Sequence, residues 1–267
     1  MLETLTNLIV RAMDVLLGSL LRLPSDVQLF TIALGSALIL ALVRLWTTDQ
    51  DLLRRCRHDK ARLKTLLREA KKRGDREAMK RHRATSGAVA LKQLRQEARP
   101  LLASLLPLVL LATWSFERLA FHPLKAGEPF EFAARFPLSA IGEIAHLVPT
   151  PGLRTHNGWI QEISAATRHG AGVWQLTADG RREPYPLRLR IDESSLTHPV
   201  RVAAPTYEEP LQRHSGSEIV TEVRLRPIQL FGVVPGIAPL HFPPWLVAYL
   251  MLVIPATWAF KKALRIV

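Results

Sequence analysis

Arg68, Lys71, Lys72, Arg73, Arg76 and Lys80 place six positive charges within thirteen residues. Guanidinium and ammonium groups at that density bind anions through charge-assisted hydrogen bonds and a summed local field. RNA phosphates, anionic lipid headgroups and acidic polypeptide all fit, and so does a plain solvated charged face. Reading of nucleobases is not expected, because Phe, Tyr and Trp are absent between Trp46 and Trp114 and base recognition on single strands needs stacking platforms.

Other chemistry finds little support. The nine histidines, His58, His82, His122, His146, His156, His169, His198, His214 and His241, are scattered, and none pairs at helical metal-ligand spacing beside a carboxylate. Neither a phosphate-binding glycine loop nor a nucleophile elbow occurs, and Ser194-Ser195 and Ser215-Gly216-Ser217 read as turns. Catalysis, a cofactor and a metal are therefore not expected.

The six cations belong to a larger block. From Arg44 to Arg99 there are eighteen Lys and Arg against seven carboxylates, which accounts for most of the chain's net +13. The block lies between two uncharged apolar runs, Val27 to Val43 and Pro100 to Phe116, and a third, His241 to Phe260, ends at Lys261-Lys262. About 17 to 25 apolar residues cross a bilayer. Basic segments beside spans mark the cytoplasmic side. This places the block and the C-terminus inside, with the N-terminus and residues 121 to 242 outside, in an inner-membrane, multi-pass protein.

The expected organisation follows: an interfacial amphipathic helix over 1–23, spans over 27–46, 100–120 and 243–262, a cytoplasmic coiled-coil hairpin over 50–98, and an extracytoplasmic β domain over 125–235. Residues 1–23 do not read as a signal peptide, because Glu3, Asn7, Arg11, Asp14, Gly18 and Arg22 interrupt the apolar core as a polar stripe. In the hairpin, Leu52, Cys56, Asp59, Leu63, Leu66 and Ala70 repeat at 4-3-4-3-4. Gly74 suits a left-handed helix end and Asp75 a cap for the next helix. Ala84, Ala88, Leu91, Leu94 and Ala98 give that helix an apolar face. The lone Cys56 excludes an internal disulfide.

Between the last two spans, Phe130–Phe136, Gly172–Thr177, Leu187–Ile191, Val200–Ala203 and Ile219–Arg226 read as strands between Pro and Gly turns. Alternation along most of them predicts a small antiparallel sandwich with one solvated face. The fold class is thus an α-helical membrane protein with an inserted all-β, sandwich-like domain.

The order of these pieces resembles the YidC/Oxa-type membrane insertase superfamily. It looks closest to the three-span prokaryotic branch related to subunit 3 of the ER membrane protein complex and to the ER transmembrane and coiled-coil protein. The resemblance rests on the amphipathic N-terminal helix leading through Pro24, Thr48-Asp49-Gln50 opening the hairpin, Ala70-Lys71-Lys72-Arg73-Gly74-Asp75 at its tip, Arg99-Pro100, Pro107 and Trp114, and Trp245, Tyr249, Pro255 and Lys261-Lys262. It covers about half the chain.

The resemblance implies a cytoplasm-open polar groove through which short polar client segments cross without nucleotide. Partners implied are nascent membrane proteins, a ribosome or translocon at the hairpin, anionic lipid and a homo- or hetero-oligomer. Groove candidates are Ser36, Arg44, Ser104, Pro107 and Thr257; ribosome or anionic-partner candidates are Arg68, Lys71, Lys72, Arg73, Arg76 and Lys80. The chain differs from the bacterial insertases in having no charge midway along any span and a β insert of about 120 residues. Two other classes stay open. One is a sensor or scaffold whose external β domain binds a ligand and signals through the coiled coil; the other is an oligomeric ion channel.

Overall fold

The computed structural model describes residues 2–166, 168–192, 194–214 and 217–266. They divide into a helical unit (up to Val15, Asp26–Trp114 and from Leu246) and a β unit (Leu16–Ser25 and Ser115–Trp245).

Five α-helices are described: α1 (Leu2–Leu17), α2 (Ser25–Thr47), α3 (Gln50–Arg73), α4 (Arg76–Arg118) and α5 (Pro244–Ala263). The segments containing α1, α2, α4 and α5 are long and apolar enough to cross a membrane, and only 11 to 33% of each qualifying apolar window is buried. Apolar surface left uncovered on this scale is stable only against lipid or other protein, the property of a multi-pass membrane protein. The sequence led us to expect three such helices. The fourth is α1, which reaches the required length because a 3-10 turn over Gly18–Arg22 extends it.

Within the helical unit, α2 and α5 pack through small residues. Ala33 and Ala37 are fully buried with Val253, against Tyr249, Leu250 and Ala256. Small side chains let helix backbones approach closely where no water drives them together. The Tyr249 hydroxyl donates to Ser36 Oγ at 3.1 Å across that seam. Trp114, fully buried, ties α4 to α1 by donating its indole N–H to Asp14 at 2.8 Å.

The hairpin turns as its sequence dictates. Asp49 caps α3 by accepting from the Leu52 N–H at 3.0 Å. Gly74 takes φ +72°, and the Asp75 N–H returns to the Ala70 carbonyl at 3.1 Å, which closes the helix end. Asp75 then accepts from the Ala78 N–H at 2.9 Å and starts α4.

The faces of the hairpin differ from expectation in part. Cys56, Leu63 and Ala70 of the expected seam are buried and Leu52 and Leu66 half-buried; Leu53 is buried and Leu67 half-buried beside them, and Asp59 is exposed. The Asp59 carboxylate keeps its hydration by staying at the seam's open side. On α4 the expected apolar face, Ala84, Ala88, Leu91, Leu94 and Ala98, is exposed. Met79, His82, Ser86, Val89, Gln93 and Gln96 are half-buried instead. Nor does the helix break at Arg99-Pro100. One 43-residue helix carries the return arm of the hairpin into the apolar run, with Pro100 and Pro107 inside it. At 1.5 Å per residue it is roughly 65 Å long.

Among the described residues, the β unit contains ten strands in two antiparallel sheets. The first joins β3 (Leu153–Thr155), β6 (Gly170–Ala178), β1 (Pro129–Phe136), β10 (Val220–Arg224) and β9 (Leu211–Arg213), with β5 (Ser164–Ala165) also on β6. The second runs β4 (Ile160–Glu162), β2 (Ile144–Leu147), β7 (Tyr185–Ile191) and β8 (Ser194–Val200). Residues of both sheets form one apolar core that includes Phe132, Trp174, Leu176, Leu147, Leu187 and Leu189. Strict alternation along β6 and β7 sends every second side chain inward.

Ser194-Ser195 open β8 and are not a turn, and β8 ends at Val200, where the sequence pattern placed a strand start. Of the Ser215-Gly216-Ser217 turn, Ser215 and Gly216 lie outside the described residues.

Candidate functional site

The five groove candidates fall on three helices. Ser36 is buried on α2 and donates to the Ala33 carbonyl at 3.1 Å while accepting from Tyr249. Ser104, buried on α4, donates to the Leu101 carbonyl at 3.1 Å. Thr257, half-buried on α5, donates to the Val253 carbonyl at 2.7 Å. Each hydroxyl thus bonds back to its own helix, as Ser and Thr do in apolar surroundings. Only Ser36 also joins a second helix. Pro107 lies half-buried in α4 and, lacking an N–H, leaves the Ala103 carbonyl without its helical donor.

Arg44 belongs to a different arrangement. It lies in the last turn of α2, where the Gln50 amide reaches back to its carbonyl at 3.5 Å. Arg44 and Glu97 both lie within electrostatic reach of Lys261 at the end of α5. Glu97 also accepts from the Gln93 amide at 2.9 Å. At Lys261 the Arg44 cation opposes and the Glu97 carboxylate favours the charged ammonium.

Close in sequence to Arg44 and Glu97, polar atoms are buried without a hydrogen-bond partner among the described residues. They are the side-chain oxygens of Gln93 and Gln96, one turn of α4 that includes Glu97, and the hydroxyl of Thr48, four residues beyond Arg44. A buried polar group left unsatisfied costs about 1–3 kcal/mol, so each of these three oxygens is an acceptor held at a cost to stability. Each could receive backbone N–H groups, hydroxyls or water, with Arg44 and Lys261 attracting carboxylates.

Thr48, Gln93, Gln96 and Glu97 were not among the sequence candidates. The available signal was Gln93, Gln96 and Glu97 recurring at i, i+3 and i+4 just before an uncharged run.

The six basic candidates divide. Arg68 and Lys71 line a cleft between the hairpin helices together with Lys60, Lys64 and Arg83. Lys72, Arg73, Arg76 and Lys80 are exposed around the tip.

A separate polar cluster sits inside the β unit. His198 Nδ1 lies 2.8 Å and His214 Nε2 2.9 Å from the hydroxyl of Thr221. That oxygen has one proton, so one imidazole receives it and the other donates. His198 and Thr221 are each 1% exposed, and the Phe132 ring meets His198 edge-on. Burial lowers the His198 pKa to about 4, against a smaller opposing backbone hydrogen bond at Glu209. His214 is also lowered by burial. The pair is a neutral core element. Among the described residues, no group of three or more His, Cys, Asp or Glu is arranged to hold a metal.

Helices of spanning length and composition, a basic helical hairpin and a separate two-sheet unit define a membrane protein of the multi-pass type. No protein-family model, curated protein or solved structure matches the chain.

Proposed function

We propose that the protein is an insertase-like membrane-protein biogenesis factor of the YidC/Oxa type, passing short polar client segments along a cytoplasm-open groove without nucleotide. The observation that supports this most is the junction where Arg44 and Glu97 come within electrostatic reach of Lys261, with partnerless buried oxygens of Thr48, Gln93 and Gln96 next in sequence to Arg44 and Glu97. In this reading α2, α4 and α5 span the membrane and α1 lies in its interface. The basic hairpin and Lys261-Lys262 face the cytoplasm and the β unit, a sandwich of its two sheets, lies outside, as the positive-inside rule requires.

A client's acidic or hydroxyl side chains enter at Arg44 and Lys261, and its unpaired N–H groups find acceptors in Gln93 and Gln96. A charge at the bilayer midplane costs about 2.5–3.5 kcal/mol on insertion scales. Polar side chains at the entrance reduce the barrier by replacing part of the lost hydration. Nascent membrane proteins are the substrates, and the exposed tip, Lys72, Arg73, Arg76 and Lys80, meets the ribosome or translocon.

The test is site-specific photocrosslinking from Ser36, Gln96, Ser104 and Lys72 in membranes translating a short-tailed membrane protein. Nascent-chain adducts at Gln96 and the span positions, with ribosomal adducts at Lys72, are expected. Adducts only to lipid and to other copies would overturn the groove. They would favour the second reading, a sensor or scaffold whose ten-stranded β unit, with its own core, binds the ligand.

A further inference from the structure

The flank of the hairpin holds a cleft of about 420 Å3. Lys60, Lys64, Arg68 and Lys71 follow one face of α3, and Arg83 stands across from them on α4; no carboxylate lines the cleft. Its remaining lining is different in kind. Leu67 and Met79, both half-buried, supply apolar surface beside the Ser86 hydroxyl. The cleft is therefore a short apolar strip bordered by five cations.

We infer that this cleft binds an acidic amphipathic segment of a partner polypeptide, its apolar side chains against Leu67 and Met79 and its carboxylates on the surrounding Lys and Arg. Charge alone would suit any polyanion; the apolar strip selects among them. A phosphodiester backbone has no apolar side chains to bury, and its bases would need aromatic platforms, which the sequence lacks between Trp46 and Trp114.

With the bilayer beginning near Pro100, as the sequence reading has it, lipid headgroups are too far away. Met79, Arg83 and Ser86 precede Pro100 by 14 to 21 residues of one unbroken helix, roughly 21–32 Å at 1.5 Å per residue. An amphipathic helix, by contrast, presents apolar side chains every three or four residues with acidic ones beside them, matching a strip with charged borders. Met79 can adapt its unbranched side chain to more than one partner sequence.

The inference rests on the hairpin acting as the partner-binding arm and does not require clients to pass between the spans. The test uses the full chain in nanodiscs of zwitterionic lipid and a fluorescein-labelled peptide of Leu and Glu in heptad order, read by fluorescence anisotropy. Saturable binding is expected. Lys64→Glu with Arg68→Glu should weaken it about tenfold or more, as opposed charges become like charges. Met79→Gln, which leaves every charge in place, should weaken it by about threefold through lost apolar contact. Arg62→Glu, exposed on α3 outside the cleft, should change it by less than about twofold.

Equal loss from Arg62→Glu with none from Met79→Gln would overturn the cleft in favour of a diffuse charged face. Tighter binding of an oligouridylate than of the peptide, or peptide binding only with anionic lipid present, would overturn it in favour of RNA or membrane. Nascent-chain adducts at Gln96 without peptide binding would remove this site alone. Peptide binding without those adducts would remove the groove alone.

Discussion

His198 shows how one residue links burial to solution behaviour. Its pKa falls from 6.5 to about 4 because the β core excludes the charged imidazole. The unfolded chain therefore binds more protons over that range, and stability must fall with falling pH. The contribution is complete above about pH 6.5 and is lost progressively toward about pH 4, amounting to about 3 kcal/mol. In thermal melts of the full chain followed by near-ultraviolet circular dichroism, His198→Gln should flatten this acid limb relative to wild type. Ser36 makes a second residue-scale test. Tyr249→Phe removes its interhelical hydrogen bond and should lower helical-unit stability by about 0.6–1.7 kcal/mol, measured by denaturant titration in detergent.

Among the elements, the hairpin turn has the most legible cause. Asp75 satisfies the Ala78 N–H, and Gly74 occupies a left-handed backbone that a Cβ disfavours. Asp75→Ala should cost about 1 kcal/mol through the lost cap, and Gly74→Ala about as much through strain. Faster amide hydrogen exchange confined to residues near the tip would report either loss. Helix α4 behaves differently. It exposes Leu91 and Leu94 at 68% and 63%, because its partner face carries Ser86, Gln93 and Gln96. Gln96→Leu removes one unpartnered acceptor from the junction. It should raise stability while reducing nascent-chain adducts at neighbouring positions, a combination expected of a site retained for binding.

At the scale of the molecule, the charge distribution sets the topology to be tested. Cys56 is the single cysteine and is buried, so the native chain gives little background with an impermeant thiol reagent. Glu162→Cys on the β unit should label from outside intact cells. Lys72→Cys at the hairpin tip should label only after permeabilisation. The opposite pattern would reverse the orientation and with it the cytoplasmic groove.

Sequence alone determined the apolar runs, the basic block, the hairpin turn at Gly74-Asp75 and the strands β1, β6, β7 and β10, whereas β8, interrupted by Pro199 and opened by Ser194-Ser195, was misplaced. These depend on local composition and on periods of two or three to four residues, which a single segment carries. The short strands β2 to β5 and β9 could not be read, because two to four residues have no period and pair only when a neighbouring strand is present. The burial of Leu53, the burial of the Gln93 and Gln96 side-chain oxygens, the continuity of α4 through Pro100 and the approach of Arg44 and Glu97 to Lys261 were decided by tertiary structure. Each depends on which face of one helix another covers. That choice is made by packing over many residues distant in the chain, and no local pattern encodes it.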